Sequence, residues 1–149
     1  MTTKTFTLFL SLFILAGLFT CADSTNTANL YGDWEAVSAD ITDPREGHQI
    51  MEASQQEMIQ ADKSMVLSFS ENKATIRVNV SGDGQMPGDQ QFTGSWQYKG
   101  ANGDSLIVNT GDVNWRFLVT DLSSDRMQLA FSMPMMPENY IHRVDFVKQ

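Results

Sequence analysis

Val113-Asn-Trp-Arg-Phe-Leu-Val-Thr-Asp-Leu122 places Val113, Trp115, Phe117 and Val119 at every second position, with Asn114, Arg116 and Leu118 between them and Thr120 after them. A period of two belongs to an extended chain, whose side chains alternate between the faces of a sheet, so the segment reads as a strand with one apolar face. The polar link Ser123-Ser-Asp125 follows, and the run 126–133 repeats the pattern with Met127, Leu129 and Phe131. So short a link reaches only an antiparallel neighbour, because a parallel crossover needs about a dozen residues or more.

Outward from this hairpin lie six further alternating runs, at 33–40, 64–70, 73–80, 91–98, 105–109 and 140–148. Glu71-Asn72, Gly100-Ala-Asn-Gly-Asp104 and Thr110-Gly-Asp112 join some of them with turn-forming residues. Sequential antiparallel pairing makes a meander, and closing the meander removes the two edges that an open sheet would expose. The expected fold is therefore all-β, an eight-stranded antiparallel up-and-down β-barrel.

One segment breaks the pattern. Residues 45–63 are dense in Gln, Glu, Met and Ala, which favour helix, and carry Met51 and Met58 on a narrow apolar stripe. A helix is thus expected between the first and second strands, either as a lid on the barrel or packed against its outside, with Met51 and Met58 near the mouth.

At the other end of the chain, Lys4 precedes an apolar stretch from Phe6 to Phe19, followed by Thr20 and the lone Cys21. This has the order of a secretory signal. It is too short for a permanent span, since a hydrocarbon core of ~30 Å needs about 20 helical residues. Leu18-Phe19-Thr20-Cys21 resembles the lipobox of bacterial lipoproteins, although Phe19 and Thr20 stand where small residues are usual. The resemblance implies cleavage before Cys21, lipid on its thiol, and a chain held on a membrane of the cell envelope, on an outer-membrane, periplasmic or surface face. An ordinary signal with an incidental cysteine would export the chain equally. The organisation expected is a signal peptide over 1–20, a lipidated cysteine and polar tether over 21–29, and one domain over 30–149.

Removing the first twenty of the 149 residues leaves a length that suits one domain and takes the formal charge from −8 to −9. That balance excludes nucleic acid as the expected partner. A single cysteine makes no internal disulfide, so packing must supply the stability.

With the strands in place, Leu30-Tyr-Gly-Asp-Trp34 resembles the Gly-x-Trp motif that opens lipocalins, fatty-acid-binding proteins and other calycins. Residues 30–148 as a whole resemble the lipocalin-like domains of bacterial lipoproteins, with Gly94-Ser-Trp96 and a late Leu-x-x-Asp-x-Met-x-Leu run at 122–129. The resemblance implies that Gly32 permits a close approach, that Trp34 plugs one end, and that Arg143 lies over its ring. It also implies a small apolar ligand in the bore, lined by Trp96, Tyr98, Trp115, Phe117 and Phe131. Gly94, Ala36 and Ser38 are the obvious space-makers. The alternative is a solid barrel that engages another envelope protein.

Other chemistry finds little in the sequence. It has two histidines, no Gly-x-Ser-x-Gly elbow, no phosphate loop and no His-Glu-x-x-His pair, so no catalytic residue and no cofactor is expected, and the chain reads as a non-enzyme. Met133-Pro-Met-Met-Pro137 offers soft thioethers to copper(I), but without a second nearby histidine it reads as cover for the barrel mouth, and no metal site is assigned.

Overall fold

The alternating runs become eight strands because each buries one apolar face and leaves polar alternates outside. The computed structural model describes residues 27, 29–45, 47–80, 88–99, 104–134 and 139–149. The order is β1 (Gly32–Thr42), α1 (Glu52–Lys63), β2 (Val66–Phe69), β3 (Ala74–Val80), β4 (Gly88–Lys99), β5 (Ser105–Asn109), β6 (Asn114–Leu122), β7 (Arg126–Phe131) and β8 (Ile141–Lys148). Each strand pairs antiparallel with the next, and β8 returns to β1, closing the barrel. In β6 the inward positions Trp115, Phe117 and Val119 are buried while Asn114, Arg116, Leu118 and Thr120 are exposed, as the period of two requires. The signal segment, Cys21, most of the tether, and most of the 81–89 and 133–137 loops lie outside the described residues.

The barrel has a plugged end. Leu30 and Trp34 are fully buried there, and the Trp34 indole N–H donates to the Leu30 carbonyl at 2.8 Å. Trp96 joins them at this end: its ring centroid is 5.2 Å from Phe69 and 6.0 Å from Tyr31, and its Nε1–H donates to the Ser70 carbonyl at 2.7 Å. The cation over Trp34 is Lys148, not Arg143. Lys148 is in register with Trp34 and holds its Nζ 5.2 Å from the ring centroid, also donating to the Asn29 carbonyl at 2.9 Å. Arg143 is opposite Asp40 on the outer face and exposed, because β8 parity sends odd-numbered residues outward. Gly32 takes φ +116, which favours glycine, but no backbone approaches it: the atom nearest a Cβ there would be Lys148 Cε at 3.1 Å, near the end of a flexible side chain.

Two of the three expected space-makers do other work. A Cβ on Gly94 would fall 1.8 Å from the Asn109 carbonyl oxygen, so Gly94 allows β4 and β5 to meet. Ser38 follows a bulge between Ala36 and Ser38 that turns its hydroxyl outward to Asp145. Ala36 does face the bore, and Ala39 and Ala74 join it in packing on the core.

The helix begins at Glu52 rather than Arg45. Gly47 takes φ +76, and Asp43 and Arg45 close a local turn through the Arg45 backbone N–H at 2.9 Å, so the chain cannot yet be helical. The docking face of α1 is Gln55, Met58, Ile59 and Asp62, spaced by three, four and seven, with Ala61 beside it. Met51, at the helix N-cap, is 75% exposed. The stripe is therefore completed by a carboxylate and not by Met51. The helix packs chiefly on β1, and lies beside the part of β1 that runs beyond the four-residue β2.

Candidate ligand-binding site

The upper half of the bore, away from the Trp34 plug, is built from rings on the inward faces of β4, β6, β7 and β8. Trp115 and Phe117 alternate along β6, Phe131 ends β7, His142 is the second residue of β8, and Phe92 comes from β4. The Trp115 centroid is 5.3 Å from Phe92, 6.0 Å from Phe117 and 6.5 Å from Phe131, and Phe117 meets Phe131 edge-on at 5.1 Å. The His142 ring stacks on Phe131 at 5.3 Å and 17°. Offset and edge contacts of this kind are the favourable ones for aromatic rings.

His142 is 1% exposed, and its Nδ1 lies 2.7 Å from Oδ2 of Asp62, which is fully buried. Asp62 comes from the last turn of α1, so this contact pins the helix to the barrel. Burial pushes the Asp62 carboxyl above its usual range, and the hydrogen bond and charge of His142 oppose that shift without cancelling it. Among the described residues, Asp62 Oδ1 has no hydrogen-bond partner, nor does Nε1 of Trp115.

Of the residues expected to line a ligand, Trp115, Phe117 and Phe131 form one cluster here. Trp96 and Tyr98 lie elsewhere along β4: Trp96 is in the plug, and Tyr98 reaches the Asp104 carboxylate at 3.4 Å, with burial and that carboxylate raising its phenol. Met58 is half-buried on α1. Asp62 and His142 were absent from the sequence-derived set. His142 carried a readable signal, since a polar residue at an inward register position between Tyr140 and Val144 needs a buried partner. Nothing in the sequence pointed to Asp62 as that partner, 80 residues away.

Two depressions lie outside the bore. One, of about 350 Å³, runs over the outer faces of β1, β6, β7 and β8 and includes Val37, Ser38, Asp121, Arg126, Gln128 and Asp145. Asp145 there takes hydrogen bonds from Ser38 and, at 2.7 Å, from Gln128 Nε2, and not from Arg143. The other, of about 400 Å³, is bounded by Ile41, Asp43, His48, Ile50 and Gln55 near the mouth. Beside it Arg45 grips Asp43 through Nε at 2.8 Å and Nη2 at 2.6 Å, holding that carboxyl down to about 2, and its guanidinium lies 5.9 Å from the Tyr140 ring centroid. Among the described residues no three His, Cys, Asp or Glu side chains gather to hold a metal ion. No described helix is long and apolar enough to cross a membrane.

The architecture is that of a lipocalin-like barrel. The bovine odorant-binding protein, solved with a selenium-containing odorant, is similar in structure, with a TM-score of 0.50 and 14% identity over 87% of this chain and 76% of that one. A lipocalin-like protein from Bacteroides uniformis is similar at a TM-score of 0.43 and 15% identity, covering 81% of this chain and 99% of that one. No protein-family model matches the sequence. No curated protein matches it either.

Proposed function

We propose that the chain is an exported lipoprotein whose barrel binds one small apolar molecule in the upper half of the bore. The observation that carries this reading is the cluster of Phe92, Trp115, Phe117, Phe131 and His142, which places five rings together at the end opposite the plug. Aromatic walls suit flat or aliphatic guests, and an eight-stranded bore leaves room for one small ligand at most. The odorant held by the bovine protein is consistent with such use of the fold, although fold alone does not transfer function. The reading assigns binding and not catalysis to the barrel.

Export and anchoring rest on the sequence of residues 4–21, with Cys21 as the acylated residue and the polar stretch after it as the tether. Intact-mass measurement of the protein from its own cells tests this directly. Diacylglycerol on Cys21, lost in Cys21→Ser, supports it, and a free thiol at a signal-cleaved terminus refutes it.

The second reading, a solid barrel that engages an envelope protein, is favoured by the depressions lying on the outside of the barrel. Native mass spectrometry of the full chain from its own cells separates the two. A discrete mass released on denaturation supports the carrier. A bare polypeptide, unchanged after incubation with apolar alcohols, acids and aromatic metabolites, overturns it.

A further inference from the structure

The chain enters the barrel at its plugged end, and two side chains hold it there. Lys148 Nζ donates to the Asn29 carbonyl at 2.9 Å, and the Trp34 indole N–H donates to the carbonyl of the fully buried Leu30 at 2.8 Å. The C-terminus is held at the same end, where the Gln149 N–H donates to the Asp33 carbonyl at 3.0 Å. The up-and-down order puts the 70–73 and 123–125 turns there as well: the Ser70 carbonyl accepts from Trp96, and the Asp125 carbonyl accepts from the Lys148 backbone N–H at 3.0 Å. Helix α1 and the 110–112 turn lie at the other end.

We infer that the plugged end of the barrel faces the bilayer that holds the Cys21 lipid, and that the end bearing α1 faces water. This inference rests on the anchoring reading above and adds to it the surface that meets the membrane. The reach of the tether carries it. Thr27, Asn29 and Leu30 are helical, so Thr27 lies about 5 Å from Leu30 along the helix at about 1.5 Å per residue. The six steps from Cys21 to Thr27 span at most about 22 Å at roughly 3.6 Å each. Cys21 therefore stays within about 27 Å of Leu30 whatever path the tether takes. The eleven residues of β1, at about 3.3 Å each and tilted by roughly 40°, give the barrel a height of about 28 Å. An inverted barrel would need Cys21 to pass that whole height and then a headgroup layer of about 5–8 Å, which is beyond its reach.

Charge does not choose the end, because Lys73, Lys99 and Arg126 there are matched by Glu71, Asp104 and Asp125. Nor does charge lay the wall on the surface. Removal of Lys4 with the signal takes the formal charge from −8 to −9, which gives no attraction to an anionic leaflet. Molecules thus reach the α1 end through water and not from the acyl chains of the same membrane.

The test uses the full chain with its lipid, purified from its own cells and inserted into vesicles of phosphatidylethanolamine and phosphatidylglycerol that contain a nitroxide-headgroup lipid. A fluorophore is attached in Asn72→Cys, in the turn after β2 at the plugged end, or in Asp112→Cys, in the turn after β5 at the other end; both positions are exposed. An acylated Cys21 does not take the label, so each protein carries one dye. The expected result is quenching at least threefold stronger at position 72 than at position 112. Equal quenching, as from a barrel lying on its side, overturns the inference, and so does stronger quenching at position 112. Ser124→Cys and Glu52→Cys, also exposed, read the same two ends where either of the first variants does not fold. Unaltered protein that takes the label on Cys21 and does not stay with the vesicles removes the anchoring reading and the orientation with it, an outcome distinct from the other two.

Discussion

Replacing Gly94 by alanine should be among the most damaging single-atom additions to this barrel. The new Cβ would fall 1.8 Å from the Asn109 carbonyl oxygen, 2.5 Å from its carbon and 2.8 Å from Thr110 Cα, all backbone atoms of β5 and the residue after it. Non-bonded atoms of this kind rest about 3.5 Å apart, so β5 must retreat by roughly 1.5 Å. A hydrogen bond of about 2.9 Å does not survive that retreat, and Gly94 directly precedes Ser95, which pairs with Asn109 in the first of five pairs joining β4 to β5. One or two ladder bonds at about 1 kcal/mol each, added to about 1–3 kcal/mol for overpacking, give roughly 2–5 kcal/mol. With a urea slope of about 1–3 kcal/mol per molar, the unfolding midpoint should fall by at least about 0.7 M, with the slope unchanged, in tryptophan fluorescence. Gly111→Ala is the control, since Gly111 has φ +90 but a Cβ added there would meet no atom within 4 Å, and it should cost about 1–2 kcal/mol from backbone strain alone. A Gly94→Ala protein at least as stable as Gly111→Ala would refute the argument from close approach.

Asp62→Ala should cost about 3–5 kcal/mol in urea melts by stranding His142, whereas the double change Asp62→Leu with His142→Phe should be neutral or stabilising, because paired removal leaves no orphaned polar group. Since burial raises the folded value of Asp62 above 3.8, its contribution is fully present below that pH and is lost as pH rises through the folded value. The deficit of Asp62→Asn relative to the parent should accordingly be largest near pH 3.5 and shrink toward neutrality, and thermal melts across that range would show a wrong sign at once. Lys148→Ala should cost about 0.5–1 kcal/mol through loss of the contact with Trp34, while Arg143→Ala should stay within about 0.5 kcal/mol of the parent, a contrast that differential scanning calorimetry resolves.

The barrel was legible because it rests on a local signal. Period-two alternation at 113–122 and 126–133, and turn chemistry between strands, declare the strands and their antiparallel order one hairpin at a time. Closure also followed, from the need to remove edges. The cation over Trp34 was not legible, because the choice between Arg143 and Lys148 depends on register, and a one-residue change of parity exchanges the faces. The bulge that sends Ser38 outward interrupts the same parity rule inside β1. In the site, Trp115, Phe117 and Phe131 could be gathered from two adjacent strands, but Trp96 and Tyr98 share their apolar parity and differ only in height along the barrel axis, which the pattern does not carry. Asp62 was hidden because it lies on a helix with a weak apolar stripe, and its burial is decided by a residue on the last strand.

The four-residue β2 has a consequence for how this protein fails. β1 runs eleven residues and pairs with β2 only through Glu35, so its upper part has β8 on one side and no strand on the other. The helix occupies that side, and Gln55 donates to the Ile41 carbonyl at 3.1 Å, covering a main-chain acceptor that a neighbouring strand would otherwise use. Displacing α1 would uncover a strand edge from which a second chain can extend the sheet. The contact between Asp62 and His142 ties the helix to the barrel beside that edge, and its loss should appear as concentration-dependent aggregation before it appears as unfolding.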